Sequence, residues 1–442
     1  MNQQSKPSLH DRYPELGRDN LPVGPYVDEA WYELEKKYLF KKTWLHVGRV
    51  EEIAKTGDYF VRDMPVLDSS IIVTRDRKKQ VRAFHNVCSH RLNRVAYEPC
   101  GTTRKFFCKF HGWAYDLDGS LTGVPDEKSF FDLDKSKYGL TPVSVDTWHG
   151  FIFICLDPEP EISLKDFLEP MYGELDGYPF EKFTACYSWN TVFDCNWKTA
   201  LDAFQETYHV GYVHARSIAD ALDKDEEGNL HPIDGVCGAH HRRLSIAGNP
   251  KSVYGNPKAA TGGAGAEDSI SGSGTARAIA GKALKVAKDG TKLDFSDLKL
   301  PKALNWTGHP NWAFDINVIF PDFYLSCRPN YFQAYNFRPI AHNKTIFEAR
   351  VYYPEMKTSG GRFYQEYMKV ALRDVLLEDL STLEITQAAA ETRAKKEMVL
   401  QDYEIMVRHQ AVVVERMIRA GLEKDGLDPD IARQTALAGG NN

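Results

Sequence analysis

The sequence predicts an α+β protein in which a small antiparallel β domain is set into a larger domain of mixed helix and sheet. Three observations lead there. Residues 43 to about 157 break into short β-branched and aromatic runs, the chain beyond residue 158 mixes strand and helix periodicities, and residues 364–422 return to helical spacing. With 442 residues and 43% hydrophobic content, the chain can bury two cores of unequal size.

In chain order, YVDEAWYELEKKYLFKK (26–42) places Ala30, Leu34 and aromatic neighbours at helical spacing with charges between them, which predicts an amphipathic helix. Segments 44–50, 58–61, 71–75 and 81–85 are separated by Gly, Asp and Lys turns and predict antiparallel strands. Beyond Asp157-Pro158, alternation predicts a strand at 185–193, a helix opens near Asn196, and strands follow at 314–320, 331–338 and 345–353. Residues 248 to about 292, including TGGAGAEDSISGSG, are rich in Gly, Ala, Ser and Lys and bury too little apolar surface to offset their ordering entropy. They are expected to form a flexible insertion, either a lid or simply disordered. The domain reading is thus 43–157 for the β domain, and 1–42 with 158–442 for the larger one.

Charge excludes some classes of partner. Lys and Arg number 55 against 61 Asp and Glu, a net charge of −6, with no block of like charge long enough to grip a phosphate backbone. Nucleic acid is not an expected partner. The first residues are polar and the densest apolar run, 151–156, is too short to cross a bilayer, so a soluble cytoplasmic protein without a membrane partner is expected. In a reducing compartment the eight cysteines are read as ligands or buried thiols rather than disulfides.

The strongest local pattern is Cys88-Ser89-His90, then 17 residues, then Cys108-Lys109-Phe110-His111. Two thiolates and two imidazoles are the ligand set of a Rieske [2Fe-2S] cluster, whose histidines raise its potential to about −150 to +300 mV. A structural zinc site built from the same residues competes with this reading, as does chance. Zinc patterns usually pair Cys with Cys and His with His, whereas each arm here offers one of each. Trp113 and Tyr115 follow the second arm and can shield a cluster or fill core.

Downstream, NWKTALDAFQETYHVGYVHARS (196–217) carries Asp202, Glu206, His209 and His214. Two imidazoles and one carboxylate leave positions open on ferrous iron for dioxygen. Alone, such residues on a helix more often form a solvated face. Beside an electron-transfer centre, however, they are its natural complement. Histidines five apart on an ideal helix point about 140° apart, so both reach one metal only where the helix ends or bulges, and Gly211 offers such a break. The remaining ligand must come from elsewhere. Asp379 in LLEDLSTLEITQ is the best candidate, with Glu378 and Glu384 its nearest rivals.

On these residues the sequence resembles the catalytic (α) subunits of Rieske non-haem iron ring-hydroxylating oxygenases, over about residues 40–240 and again at 375–390. The resemblance implies that Cys88, His90, Cys108 and His111 hold the cluster, and that His209, His214 and Asp379 hold a mononuclear Fe(II). It also implies that Glu206 links His209 to His111 of the partner subunit in a head-to-tail homotrimer, with or without a small β subunit. The larger domain would be a helix-grip fold with a curved antiparallel sheet and C-terminal helices. Dioxygen and a small organic molecule would be substrates, and electrons from NAD(P)H would arrive through a ferredoxin or flavin reductase.

The leading functional reading is hydroxylation, including cis-dihydroxylation, of an aromatic or hydrophobic ring. The runs PNWAFDINVIF and NYFQAYNF can line an apolar pocket, or equally fill core. Glu206 stands where most ring dihydroxylases resembling this chain have Asp, and Glu is familiar in relatives that oxidise quaternary ammonium compounds. Monooxygenation or oxidative demethylation is therefore the alternative. A non-enzymatic reading, an electron carrier or a zinc-stabilised binding protein, predicts no second iron.

Overall fold

A computed structural model describes residues 8–218, 221–225, 227–249, 304–328, 331–357 and 359–438. Almost all of the insertion expected at 248–292 lies outside the described residues. The chain divides into two compact units, Glu35–Tyr172 and Met1–Leu34 with Gly173–Asn442.

The first unit is an antiparallel β structure. Its seven-stranded sheet runs Leu45–Arg49, Phe151–Cys155, Pro142–Trp148, Val81–His85, Ser69–Arg75, Asp58–Met64, Cys100–Thr102. A three-stranded sheet of Phe106–Phe107, Ala114–Tyr115 and Leu121–Gly123 flanks the second cysteine arm. The unit is longer at both ends than 43–157, for reasons visible in its contacts. Trp44 and Trp148 donate their indole N–H groups to the carbonyls of Ile162 (3.0 Å) and Tyr172 (2.7 Å), while Lys36 and Lys41 both pair with Asp68. The N-terminal helix forms at Glu29–Glu35 and continues as a π-helical turn, Lys36–Phe40. Its buried face is Trp31, Tyr32, Tyr38, Leu39 and Phe40, with Ala30 exposed, because large rings remove more apolar area from water than an alanine methyl.

The second unit is built on another seven-stranded antiparallel sheet, ordered Ala185–Phe193, Lys344–Tyr353, Phe332–Ala341, Phe323–Cys327, Trp312–Ile319, Arg242–Ala247, Asp234–Cys237. Two long helices, Ser359–Glu391 and Ile405–Lys424, follow it. Four of these strands match periodicity in the sequence, whereas Asp234–Cys237, Arg242–Ala247 and Phe323–Cys327 do not. The Arg242 strand carries charge into the core, which conceals it from a hydrophobic pattern. Its guanidinium donates to Gln205 and Gln410, whose amides donate in turn to Asp202 Oδ1 at 2.8 and 3.1 Å. Burial pushes the Asp202 carboxyl up to about 7, against the pull of Arg242, and brings Arg242 down to about 10. The network is a desolvated charge pair joined by two glutamine amides.

The N-terminal turn is tied to the segment before the last long helix through Asp402. Its carboxylate accepts from the Ser8 hydroxyl, the backbone N–H groups of Leu9 (2.9 Å) and His10 (3.0 Å), and His10 Nδ1 (2.6 Å). Burial works against the charged form, but these hydrogen bonds outweigh it and hold the carboxyl at about 2. A depressed folded pKa contributes stability above the ordinary value of 3.8, and that stability is lost as pH falls towards about 2. Asp402→Asn should therefore lower the thermal midpoint at neutral pH, with the gap from wild type closing through this acid window. A gap that stays constant over the window would exclude the ionised carboxylate as its source.

Candidate metal centres and the pocket beside the triad

The two cysteine arms fold as near copies. In each, the cysteine N–H donates to the carbonyl five residues on, Cys88 to Asn93 at 2.7 Å and Cys108 to Trp113 at 2.9 Å. In each, the cysteine carbonyl accepts from the N–H four residues on, Leu92 at 3.0 Å and Gly112 at 2.9 Å. The residue at that fourth place is left-handed in both arms, with φ of 61° at Leu92 and 72° at Gly112. Buried Asn86 fixes the first arm, donating to the Ala96 carbonyl (2.8 Å) while its side-chain oxygen accepts from Val95 and Ala96.

The arms deliver buried Cys88 and Cys108 with His90 and His111, whose rings lie 4.5 Å apart. Trp113 stacks on His90 at 4.9 Å, and the Tyr115 hydroxyl meets Cys88 Sγ at 3.2 Å, so both aromatics cover the site rather than merely filling core. The Nδ1 atoms of His90 and His111 are buried without hydrogen-bond partners, as metal-ligating nitrogens would be. Among the described residues, only His209, His214 and Asp379 form a set of three or more His, Cys, Asp or Glu whose ligand atoms lie within 4.8 Å of one another. The four donors of the arms do not converge on one such point. That spread suits a cluster whose ligands divide between two irons and does not suit a single tetrahedral zinc.

The second centre arises because 196–217 is not one helix. A first helix, Trp197–Asp202, is capped by Asn196, whose side chain accepts from the Lys198 N–H at 2.9 Å. After a break, a single turn, Val210–Val213, has His209 and His214 at its two ends. Gly211 lies inside that turn, so the break that brings the histidines together is the shortness of the helix and not the glycine. From Ser359–Glu391 comes Asp379, whose Oδ1 lies 3.0 Å from His214 Nε2 and 3.6 Å from His209 Nε2. That oxygen is buried and makes no hydrogen bond of acceptable geometry, which fits a lone pair directed at an ion.

Each imidazole is oriented from behind by a carboxylate. His209 Nδ1 meets Glu206 Oε1, and His214 Nδ1 meets Glu378 Oε2 at 2.9 Å, where Ser217 also donates. These contacts place the proton on Nδ1 and leave both Nε2 atoms as donors to a metal. Burial disfavours charge on His214, yet Asp379 and Glu378 outweigh it and raise its pKa. Of the rival acids, Glu378 supports a ligand and Glu384 caps the Asp194 N–H at 3.0 Å. Asp202 belongs to the buried network with Arg242 and not to the triad.

The triad lines a pocket whose opposite wall is the inner face of the sheet. Phe314, Tyr331 and Tyr335 line the pocket. Strand alternation turns buried Phe332 to the other face, while Phe320 and Phe337 share the parity of Phe314 and Tyr335 but lie further along the chain, where they are fully buried core. Tyr324 pairs with Tyr335 across strands, their rings stacked at 5.1 Å. Tyr324 and Arg328 escaped the sequence reading because the strand Phe323–Cys327 is too short to show a pattern.

Glu378→Ala should leave the Cys–His arms intact but weaken iron retention by the triad about 10- to 100-fold, as loss of a carboxylate behind a ligating histidine does. Iron retained after dialysis against a chelator measures this. Wild-type retention would show that Glu378 does not support the centre.

The family model described as the ring hydroxylating alpha subunit (catalytic domain) matches residues 180–420, and that of the Rieske [2Fe-2S] domain matches residues 43–144. The chain is 32% identical over 210 residues to the glycine betaine monooxygenase oxygenase subunit of Chromohalobacter salexigens, covering 48% of this chain and 46% of that one. It is 35% identical over 207 residues to the naphthalene 1,2-dioxygenase large oxygenase component of Pseudomonas aeruginosa, covering 43% of each. The chain thus matches about half the length of these curated relatives. A solved quaternary ammonium Rieske monooxygenase in complex with L-carnitine superposes with a TM-score of 0.65 at 20% identity, over 90% of this chain and 95% of that one. With two matched models spanning the sheet, both long helices and the cysteine arms, this chain belongs to the ring hydroxylating alpha subunit family, its catalytic domain joined to a Rieske [2Fe-2S] domain.

Proposed function

We propose that the chain is the terminal oxygenase component of a multicomponent Rieske system, placing oxygen from O2 into an organic substrate held in the aromatic-lined pocket. The observation that carries this reading is the convergence of His209, His214 and Asp379 on the wall of that pocket. The Cys–His arms elsewhere in the chain complete the requirement for electrons. When bound, the cluster supplies single electrons and the mononuclear iron supplies oxygen activation.

The chain's own residues orient and exclude. Glu206 and Glu378 hold the imidazoles, and the walls around Phe314, Tyr324 and Tyr335 keep water from the substrate. Burial pushes the Tyr324 phenol up to about 12, so it stands as a neutral hydrogen-bonding group. Glu206 is 10% exposed and already engages His209, which supports a role for it as the link towards His111 of the partner subunit in a trimer fed by a ferredoxin or flavin reductase.

For the substrate, the apolar aromatic pocket supports hydroxylation of an aromatic or hydrophobic ring. A second reading is monooxygenation or demethylation of a quaternary ammonium compound. It is favoured by Glu206, by the relative named for glycine betaine, and by aromatic faces that suit a trimethylammonium group as well as a ring.

Anaerobically purified protein should contain about three irons per chain and give a Rieske signal on reduction. Asp379→Ala should abolish product formation and leave that signal unchanged. Turnover under labelled dioxygen separates the two readings, since a dihydroxylase leaves both labelled atoms in one product. Glu206→Gln should retain both metals yet slow electron delivery, because an amide imperfectly replaces an acceptor carboxylate. Colourless protein loaded with zinc, or full activity in Asp379→Ala, would sink the proposal.

A further inference from the structure

Arg328 enters the pocket from the residue after the strand Phe323–Cys327, on the same face as Tyr324. Its backbone is pinned on both sides: its carbonyl accepts from the Tyr178 hydroxyl at 2.6 Å, and its N–H donates to the Tyr331 carbonyl at 3.0 Å. Its guanidinium lies 3.7 Å from the centre of the Phe314 ring and 5.2 Å from that of Tyr331. Ring contacts of this kind are not hydrogen-bond acceptors for the guanidinium's N–H groups. The Nε atom is buried without a hydrogen-bond partner, and no ion pair to Arg328 occurs among the described residues.

A guanidinium stays charged at any physiological pH, so a buried one normally finds a carboxylate. Two carboxylates line the same pocket, Glu206 and Asp379, but both are directed to the histidines. Arg328 is therefore a positioned, half-buried cation whose buried Nε–H lacks an acceptor. Its field reaches the phenols of Tyr324, Tyr331 and Tyr335, and Tyr324 also senses Asp379. Tyr324 lines the same pocket as the cation and the triad.

We infer that Arg328 is the substrate-anchoring residue and that the substrate class is a carboxylate-bearing organic molecule, its carboxylate forked on Arg328 and its apolar or trimethylammonium body running past Tyr324 and Tyr335 to the triad. This rests on the oxygenase reading above and narrows it. A single guanidinium matches one planar monoanion bidentately. A dianionic phosphate would bring a second charge into a pocket already holding two carboxylates. The inference joins the two substrate readings, because an aromatic acid and a betaine share the group being recognised.

The test is calorimetric binding to anaerobic, iron-loaded protein of two matched pairs, benzoate against benzamide and γ-butyrobetaine against its primary amide. In at least one pair the carboxylate should bind about tenfold tighter than its amide, the scale of one charged hydrogen-bonding contact. Arg328→Met should reduce that ratio to about one, and Arg328→Lys should keep part of it. No preference for carboxylate in either pair, including no binding at all, overturns the inference, as does a preference that survives Arg328→Met. The wild-type comparison stands even where a variant fails to fold. Iron content and product formation on the same sample report separately on the oxygenase reading, so failure of one is distinguishable from failure of the other.

Discussion

The arrangement of the larger unit depends on holding three electron-pair donors against one another. Asp379 Oδ1 lies 3.0 Å from His214 Nε2 and 3.6 Å from His209 Nε2 without a sound hydrogen bond, a juxtaposition that repels whenever neither a proton nor a cation lies between them. What maintains it is leverage from outside. Glu206 and Glu378 pull on the far nitrogens, and the elements bearing the ligands are fixed elsewhere: Asn196 is gripped by Gln387 through its N–H at 3.0 Å, and Asp194 by Glu384. The helix Ser359–Glu391 thus supplies one candidate ligand, a support for another, and the clamps that set the position of the segment bearing the histidines. Unsatisfied groups at a centre are tolerated where the surroundings leave them nowhere else to go.

Much of this was legible in the sequence, and the parts that were not share a cause. The cysteine arms were readable because a cluster demands fixed residue types at short spacing, and a hairpin-like loop keeps those residues close whatever surrounds it. The histidines were readable for the same reason. Asp379, 165 positions after His214, was a candidate beside Glu378 and Glu384 that the resemblance preferred, since no local rule connects residues that far apart. Glu378 illustrates the limit. As a carboxylate beside Asp379 it looked like an alternative ligand, and only the direction of its side chain distinguishes a ligand from the group that aims one.

The sheet shows a complementary limit. Long strands with clean alternation, such as Lys344–Tyr353, declare themselves. Arg242–Ala247 is wholly buried yet opens with two arginines, because Gln205 and Gln410 accept from the first with Asp202 behind them, and Asn317 (2.9 Å from Nε) and Glu174 engage the second. A polar network of that kind erases the very contrast on which hydrophobic pattern reading relies. Composition likewise showed that aromatics were abundant but not which would face a cavity. That division depends on the pleat, which turns Phe332 away, and on position along the strand, which separates Tyr335 from Phe337.

Glu378 and Asp379 are consecutive, and they engage the two opposite nitrogens of one imidazole, that of His214. A side chain on a helix turns by about 100° for each residue added or removed. A single insertion or deletion upstream in this helix would therefore swing both carboxylates off the ring at once, while an exchange of surface side chains would disturb neither. Over evolutionary time the helix is free to change its letters but not its count, and variation in length is left to the connections between elements.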